Sequence, residues 1–179
     1  MIINSNEAEL NAVVSVANAM CAAARTAPKA KGEDFIYTCV LTGEDKENLA
    51  KTMYAVGERD SIGFFMRDSG NVSSAQAVVL IGAKNARRGL GEMCQNCGYE
   101  NCAECAKNDG KCAFTSLDLG IAVGSAVSIA ADYRIDNRIM FSCGAVAKEM
   151  GLLPEAEFIM AIPLSATGKS PFFDRSRAK

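Results

Sequence analysis

Helical and strand-like apolar patterns alternate along this chain without strict strand–helix–strand regularity, and that mixture predicts an α+β fold. At 179 residues the chain is long enough for one compact domain. Folding at this size buries roughly 70% of the surface an unfolded chain exposes. One segment, about 92–113, carries five of the eight cysteines and shares none of the periodicity around it. The expectation is therefore a single domain over 1–179 with a cysteine-rich insertion at 92–113.

Each element has its own signal. Asn6 with Glu9 three residues on reads as a capping box. Leu10, Val13, Val14, Ala17, Met20, Cys21 and Ala24 then recur at helical spacing, which predicts a helix from about 6 to 25. Thr26-Ala27-Pro28 ends it, because the residue before proline avoids the helical region. A basic loop leads to 35–41, a β-rich run that reads as a central strand. Residues 44–56 read as a helix with Leu49, Met53 and Val56 on one face, whereas 57–74 shows no assignable period. Residues 77–81 form a buried strand ended by Gly82. Thr115 or Ser116 caps a helix to Tyr133, on which Gly120, Gly124 and Ser128 form a row of small residues suited to close helix approach. A short strand at 139–141, a helix at 143–150, a strand at 158–162 and an extended basic tail from Pro163 complete the chain.

Composition excludes much chemistry. Histidine is absent, so a Ser-His-Asp or Cys-His nucleophile and His-ligated zinc or haem are all ruled out. Proton transfer must then use Asp, Glu, Lys, Tyr, Cys or a cofactor. A formal net charge of -2 gives no electrostatic case for nucleic acid or an anionic membrane. Arg87-Arg88 and the basic tail read as surface charge, since no aromatic residues interleave with them. The start MIINSNEAEL lacks the basic and apolar regions of a secretory signal. The longest apolar stretch, between Asp118 and Asp132, holds thirteen residues, too short to span a bilayer. The expected location is cytoplasmic. Ser165 to Ser170 mimics part of a phosphate-binding loop, but the glycine such a loop needs at 163 is proline.

The cysteine segment runs C-x2-C-x4-C-x2-C-x6-C through Cys94, Cys97, Cys102, Cys105 and Cys112. In a reducing compartment such a cluster points to metal rather than disulfides. Soft thiolates select zinc or an iron–sulfur cluster over hard cations. Four thiolates satisfy either a tetrahedral zinc or a cubane [4Fe-4S] cluster. Cys21, Cys39 and Cys143 read as small core residues.

Cys94, Cys97, Gly98, Tyr99 and Cys102 resemble, position for position, the loop of the small [4Fe-4S] domain in certain electron-transfer subunits. That resemblance implies Cys112 as the fourth ligand, with Cys105 as its substitute. The rest resembles the nitroreductase-like FMN fold. The match runs through Ala22 to Pro28 with the strand after it, Asp118-Leu119-Gly120, Ser142-Cys143-Gly144, the Met150 to Glu155 segment and Ile162-Pro163. Taken whole, the chain resembles a family of prokaryotic proteins of unknown function that contain a ferredoxin domain.

This resemblance implies a nitroreductase-like α-β-α sandwich, a homodimer and FMN sites between subunits. By position, Lys29 and Lys31 would meet the flavin, the backbone of Cys143 and Gly144 would lie beside its ring, and Lys169 and Arg175 would serve its phosphate. The expected activity is that of a flavin-dependent oxidoreductase with a [4Fe-4S] cluster, served by an electron donor such as ferredoxin or a nicotinamide nucleotide. The alternative is a non-catalytic module of the same fold with a structural four-cysteine zinc loop. It draws on two departures: no Lys or Arg precedes Arg25, so the family's N-terminal arginine pair has no counterpart, and the loop from Ala27 to Asp34 reads A-P-K-A-K-G-E-D where the family has A-P-S with Asn and Gln.

Overall fold

The computed structural model describes residues 1–173; Arg175 and the rest of the basic tail lie outside the described residues. The elements run α1 (Ser5–Thr26), β1 (Ile36–Leu41), α2 (Gly43–Arg59), α3 (Gly63–Ser74), β2 (Ala77–Ala83), α4 (Cys102–Lys107), α5 (Ala113–Asp132), β3 (Asp136–Asn137), α6 (Phe141–Glu149) and β4 (Phe158–Ser165). The four strands form one sheet in the order β1-β2-β4-β3, and every neighbouring pair is antiparallel. Strand β2 is buried along its whole length, and its alternating side chains serve two cores. Val79 and Ile81 join Ile36, Ile162 and Leu164 beneath α1 and α5. Val78 and Leu80 join Ala161 beneath α2, α3 and α6. The result is a three-layer α-β-α sandwich.

Several elements differ from the sequence reading. The cap of α1 is Asn4, whose side chain accepts from the backbone N–H of Glu7 at 3.0 Å, two residues before the expected box. Its inward face includes Val16, while Leu10 is exposed. Residues 57–74 hold the last turn of α2 and all of α3. The apolar positions Phe65 and Val72 of α3 are interrupted by Asp68, itself buried beside Ser142 and Arg67. A charge on the inward face hides the period. The expected strand at 139–141 reduces to one bridge, Met140 to Ala161, since α6 begins at Phe141.

Helix α5 begins at Ala113, not after a Thr115 or Ser116 cap. Thr115 is buried, and Asn85 instead accepts from the Cys112 N–H at 3.1 Å just ahead of the helix. By length and composition α5 meets the requirement for a membrane span. It exceeds the uncharged stretch because it includes Asp118, whose charge is paired internally. Here it lies across the sheet against α1, where Ser125 Oγ donates to the Ala23 carbonyl at 3.1 Å. That contact uses Leu119, Ala122 and Ala126, whereas Gly120, Gly124 and Ser128 are exposed, with no helix among the described residues upon them.

Gly144 sets the spacing of α6 on the sheet. A Cβ built there would lie 2.0 Å from the Ile159 carbonyl oxygen, so backbone would have to move. Gly144→Ala is expected to destabilise the fold by about 1–3 kcal/mol or more in urea unfolding. Gly70→Ala, in open space on α3, serves as control and should stabilise by about 0.5–1 kcal/mol.

Cys143 is wholly buried, and burial first, then the Asp68 carboxylate, lifts its thiol from 9.0 to about 12. The fold keeps the neutral thiol, whereas the unfolded chain ionises it near 9.0. This contribution is thus full below pH 9 and declines as pH rises toward about 12, by about 1.4 kcal/mol per pH unit. Comparing unfolding free energies at pH 8 and pH 10, Cys143→Ala should show a smaller loss than the wild type.

Candidate functional site

The five clustered cysteines do come together. Cys94, Cys97, Cys102, Cys105 and Cys112 line one narrow cavity with Arg87, Arg88, Tyr99 and Phe114. Local chemistry builds its walls. The first C-x2-C turns tightly, with Gly98 at φ +80°, a left-handed conformation natural to glycine, and its N–H donating to the Gln95 carbonyl at 2.9 Å. Asn101 caps α4 by accepting from the N–H groups of Ala103 and Glu104, which sets Cys102 and Cys105 one turn apart on one helix. Gly110 is obligatory at the back, because a Cβ there would meet the Tyr99 ring at 2.5 Å and Cys105 Sγ at 2.9 Å. Cys105 and Cys112 are buried, the other three are half-buried, and all eight cysteines of the chain are unpaired thiols.

The free space between these sulfurs is about 20 Å³, room for about one water. Among the described residues no group of three or more His, Cys, Asp or Glu is arranged to hold a metal ion as it stands. A larger group seated here would have to spread the sulfurs. The donor set nonetheless suits an anionic, thiolate-ligated centre: soft sulfur ligands beside two guanidinium groups. Burial raises the Cys105 thiol above its ordinary value, while neighbouring Arg87 draws it down.

Arg88 is the residue the sequence reading misses. It is 2% exposed, not surface charge. Its guanidinium donates to Asp118 Oδ2 at 2.7 Å and to the Ala86 carbonyl, and lies 4.6 Å over the Phe35 ring. Asp118 Oδ1 in turn accepts from the Ala30 N–H at 3.0 Å. One buried pair thus joins the cysteine wall, α5 and the loop after α1. A basic pair between a buried strand and a cysteine motif was the available signal; it looked like surface charge because sequence does not show Asp118 folding back onto it.

A second cavity, of about 620 Å³, lies between α5 and α6 along β4. Leu119, Gly120 and Val123 form one side, Phe141 and Gly144 the other, and Ile159 the floor. The two cavities share α5, whose Ala113 and Phe114 line the first and whose Ser116 and Leu119 line the second. Gly144 lies in the second cavity, whereas the Cys143 side chain sits in the core behind it. Lys29 is not brought to this cleft: its ammonium donates to the carbonyls of Ala24, Arg25 and Ala27 at the end of α1. Lys31 pairs with Glu33 at 3.3 Å on the surface, and exposed Lys169 lies in the segment after β4. Lys148, which lines the cleft, donates to the Glu157 carbonyl at 2.7 Å.

This sandwich is the fold of nitroreductases. A nitroreductase (CinD) from Lactococcus lactis in complex with nicotinic acid is similar at a TM-score of 0.62 and 16% identity, covering 93% of this chain and 84% of that one. A nitroreductase with bound FMN from Bacteroides fragilis gives a TM-score of 0.60 at 12% identity, covering 92% and 83%. The FMN-dependent nitroreductase NfnB from Mycobacterium smegmatis, in complex with NADPH, gives 0.60 at 11% identity, covering 87% and 78%.

Residues 108–175 match the family described as uncharacterized proteins containing a ferredoxin domain (DUF2148). An uncharacterized protein of Archaeoglobus fulgidus is 43% identical over 190 aligned positions spanning both chains in full. The chain belongs to this ferredoxin-domain family.

Breaking the Arg88–Asp118 pair strands a buried cation. Asp118→Ala is expected to destabilise the protein by about 3–5 kcal/mol, read as a lower urea midpoint.

Proposed function

We propose that this protein is an electron-transfer oxidoreductase that binds a [4Fe-4S] cluster among its clustered cysteines and FMN in the α5–α6 cleft. One observation carries the reading: the cysteine-lined cavity and the larger apolar cleft adjoin along the first two turns of a single helix. From Phe114 to Leu119 the helix advances only about 7.5 Å. Such adjacency suits two redox groups that exchange electrons. When bound, an iron–sulfur cluster supplies one-electron chemistry and a flavin links it to two-electron chemistry.

The chain's own residues have definable tasks. Cys94, Cys97 and Cys102, with Cys112 or Cys105, would ligate the cluster. The Arg88–Asp118 pair would hold the wall behind it. Leu119, Val123, Phe141 and Ile159 would exclude water from the flavin's ring, and the backbone of Gly144, seated close on Ile159, would lie beside it. Without histidine, protons near the cleft have Lys148 or solvent as their source.

A second copy would complete the cleft. Leu117 and Ile121 on α5 and Phe141 on α6 are 51%, 46% and 64% exposed, and Gly120 and Gly124 keep the surface between them shallow. Such an apolar face on a flavin cleft supports a homodimer. The NADPH-bound neighbour makes a nicotinamide nucleotide the first electron donor to assay, with ferredoxin the second.

The competing reading, a fold without flavin around a structural zinc, draws on the internal engagement of Lys29 and Lys148. Anaerobic purification separates the two. The proposal expects iron and acid-labile sulfide in equal amounts, FMN released on denaturation, and loss of iron in Cys97→Ser. One equivalent of zinc without iron or sulfide, in a protein that ignores added FMN, would sink it. Comparing Cys105→Ser with Cys112→Ser then identifies the fourth ligand, as only its removal should abolish the cluster spectrum.

A further inference from the structure

Three buried side-chain polar atoms among the described residues have no hydrogen-bond partner, and two of them belong to residues that line the cysteine cavity: Nε of Arg87 and Nε of Arg88. A buried N–H left unsatisfied loses its hydration with nothing in return. The rest of the Arg88 guanidinium is fixed. Arg88 is held by Asp118, the Ala86 carbonyl and the Phe35 ring, so it cannot swing away to water. Arg87 makes a long 3.5 Å contact to the Gly110 carbonyl beside Cys105. Two donor-bearing cations therefore border a cavity that five cysteines also line.

Resting on the cluster reading above, we infer that Arg87 and Arg88 direct their unpaired Nε–H groups at a sulfur-ligated anionic centre and set its reduction potential. The direction follows from charge. One added electron leaves one more negative charge in the cavity, with no bond made or broken and no proton required. Nearby cations and N–H donors favour that more negative state, so they raise the potential. Arg88 carries a further constraint, because Asp118 partly neutralises it. Arg87 has no carboxylate partner among the ion pairs of the described residues and supplies the larger share of uncompensated charge.

The test is a redox titration of the anaerobically purified full-length protein, followed by visible absorbance and electron paramagnetic resonance with dithionite as reductant. Arg87→Met should keep its iron and sulfide yet shift the one-electron midpoint negative by about 59 mV or more, a tenfold change in the reduction equilibrium. Arg87→Lys should restore part of the shift, which a merely structural role would not do. If circular dichroism shows Arg87→Met misfolded, Arg88→Lys still tests the inference: it keeps charge but loses the Nε donor, so its midpoint should shift negative by less than a tenfold change in the equilibrium. Unchanged midpoints in folded, iron-loaded variants overturn this inference and leave the cluster reading standing. A wild-type protein that takes up no iron and sulfide fails earlier, and then both fall.

Discussion

A single buried ion pair holds the functional half of this molecule in place. Arg88 arrives from the segment after β2, Asp118 from the second turn of α5, and the backbone of Ala30 from the loop that follows α1. Each alone would be a poor occupant of a core, because charge removed from water is strongly destabilised. Together they satisfy one another, and Phe35 covers the cation. The consequence is geometric. Three segments far apart in sequence are fixed to one point, and the cysteine wall and the α5 helix inherit their relation from it.

Around that point the sandwich divides its labour. Strand β2 supplies side chains to both cores, and its Gly82 lets Ala156 and Leu153 close over the sheet, where a Cβ would meet them at 2.5 and 2.9 Å. The α2–α3 side is a packing layer stapled by Lys46, whose ammonium donates to the Ser73 and Ala75 carbonyls at the end of α3. The larger cavity lies beside β4, where α5 from one layer and α6 from the other approach each other. The cysteine-bearing loop enters between β2 and α5.

Much of this was legible in the sequence, and the reasons differ by element. The period of α1, the apolar runs of β2 and β4 and the spacing of the cysteines are local signals, and they survive folding. Helix α3 was illegible because Asp68 occupies an inward position that only Ser142, Arg67 and Arg138 make tolerable. The start of α5 was misplaced because its anchor is Asn85, a long-range partner of the Cys112 N–H, rather than a hydroxyl in its own first turn. Arg88 reads as surface charge in the sequence for the same reason: its partner lies 30 residues away. The cysteine cavity was legible as a cluster, but the guanidinium groups behind it were not. Of the lysines picked for the flavin, Lys29 is tied to the end of α1, a contact that spacing alone does not reveal.

Because α5 is a wall common to two cavities, its phase is as constrained as its composition. Each residue of an α-helix turns the chain by about 100°. Inserting or deleting one residue between Phe114 and Ser116 would swing Leu119, Gly120 and Val123 out of the cleft and carry Asp118 off Arg88 in the same motion. This stretch should therefore accept exchanges of residue but not changes of length.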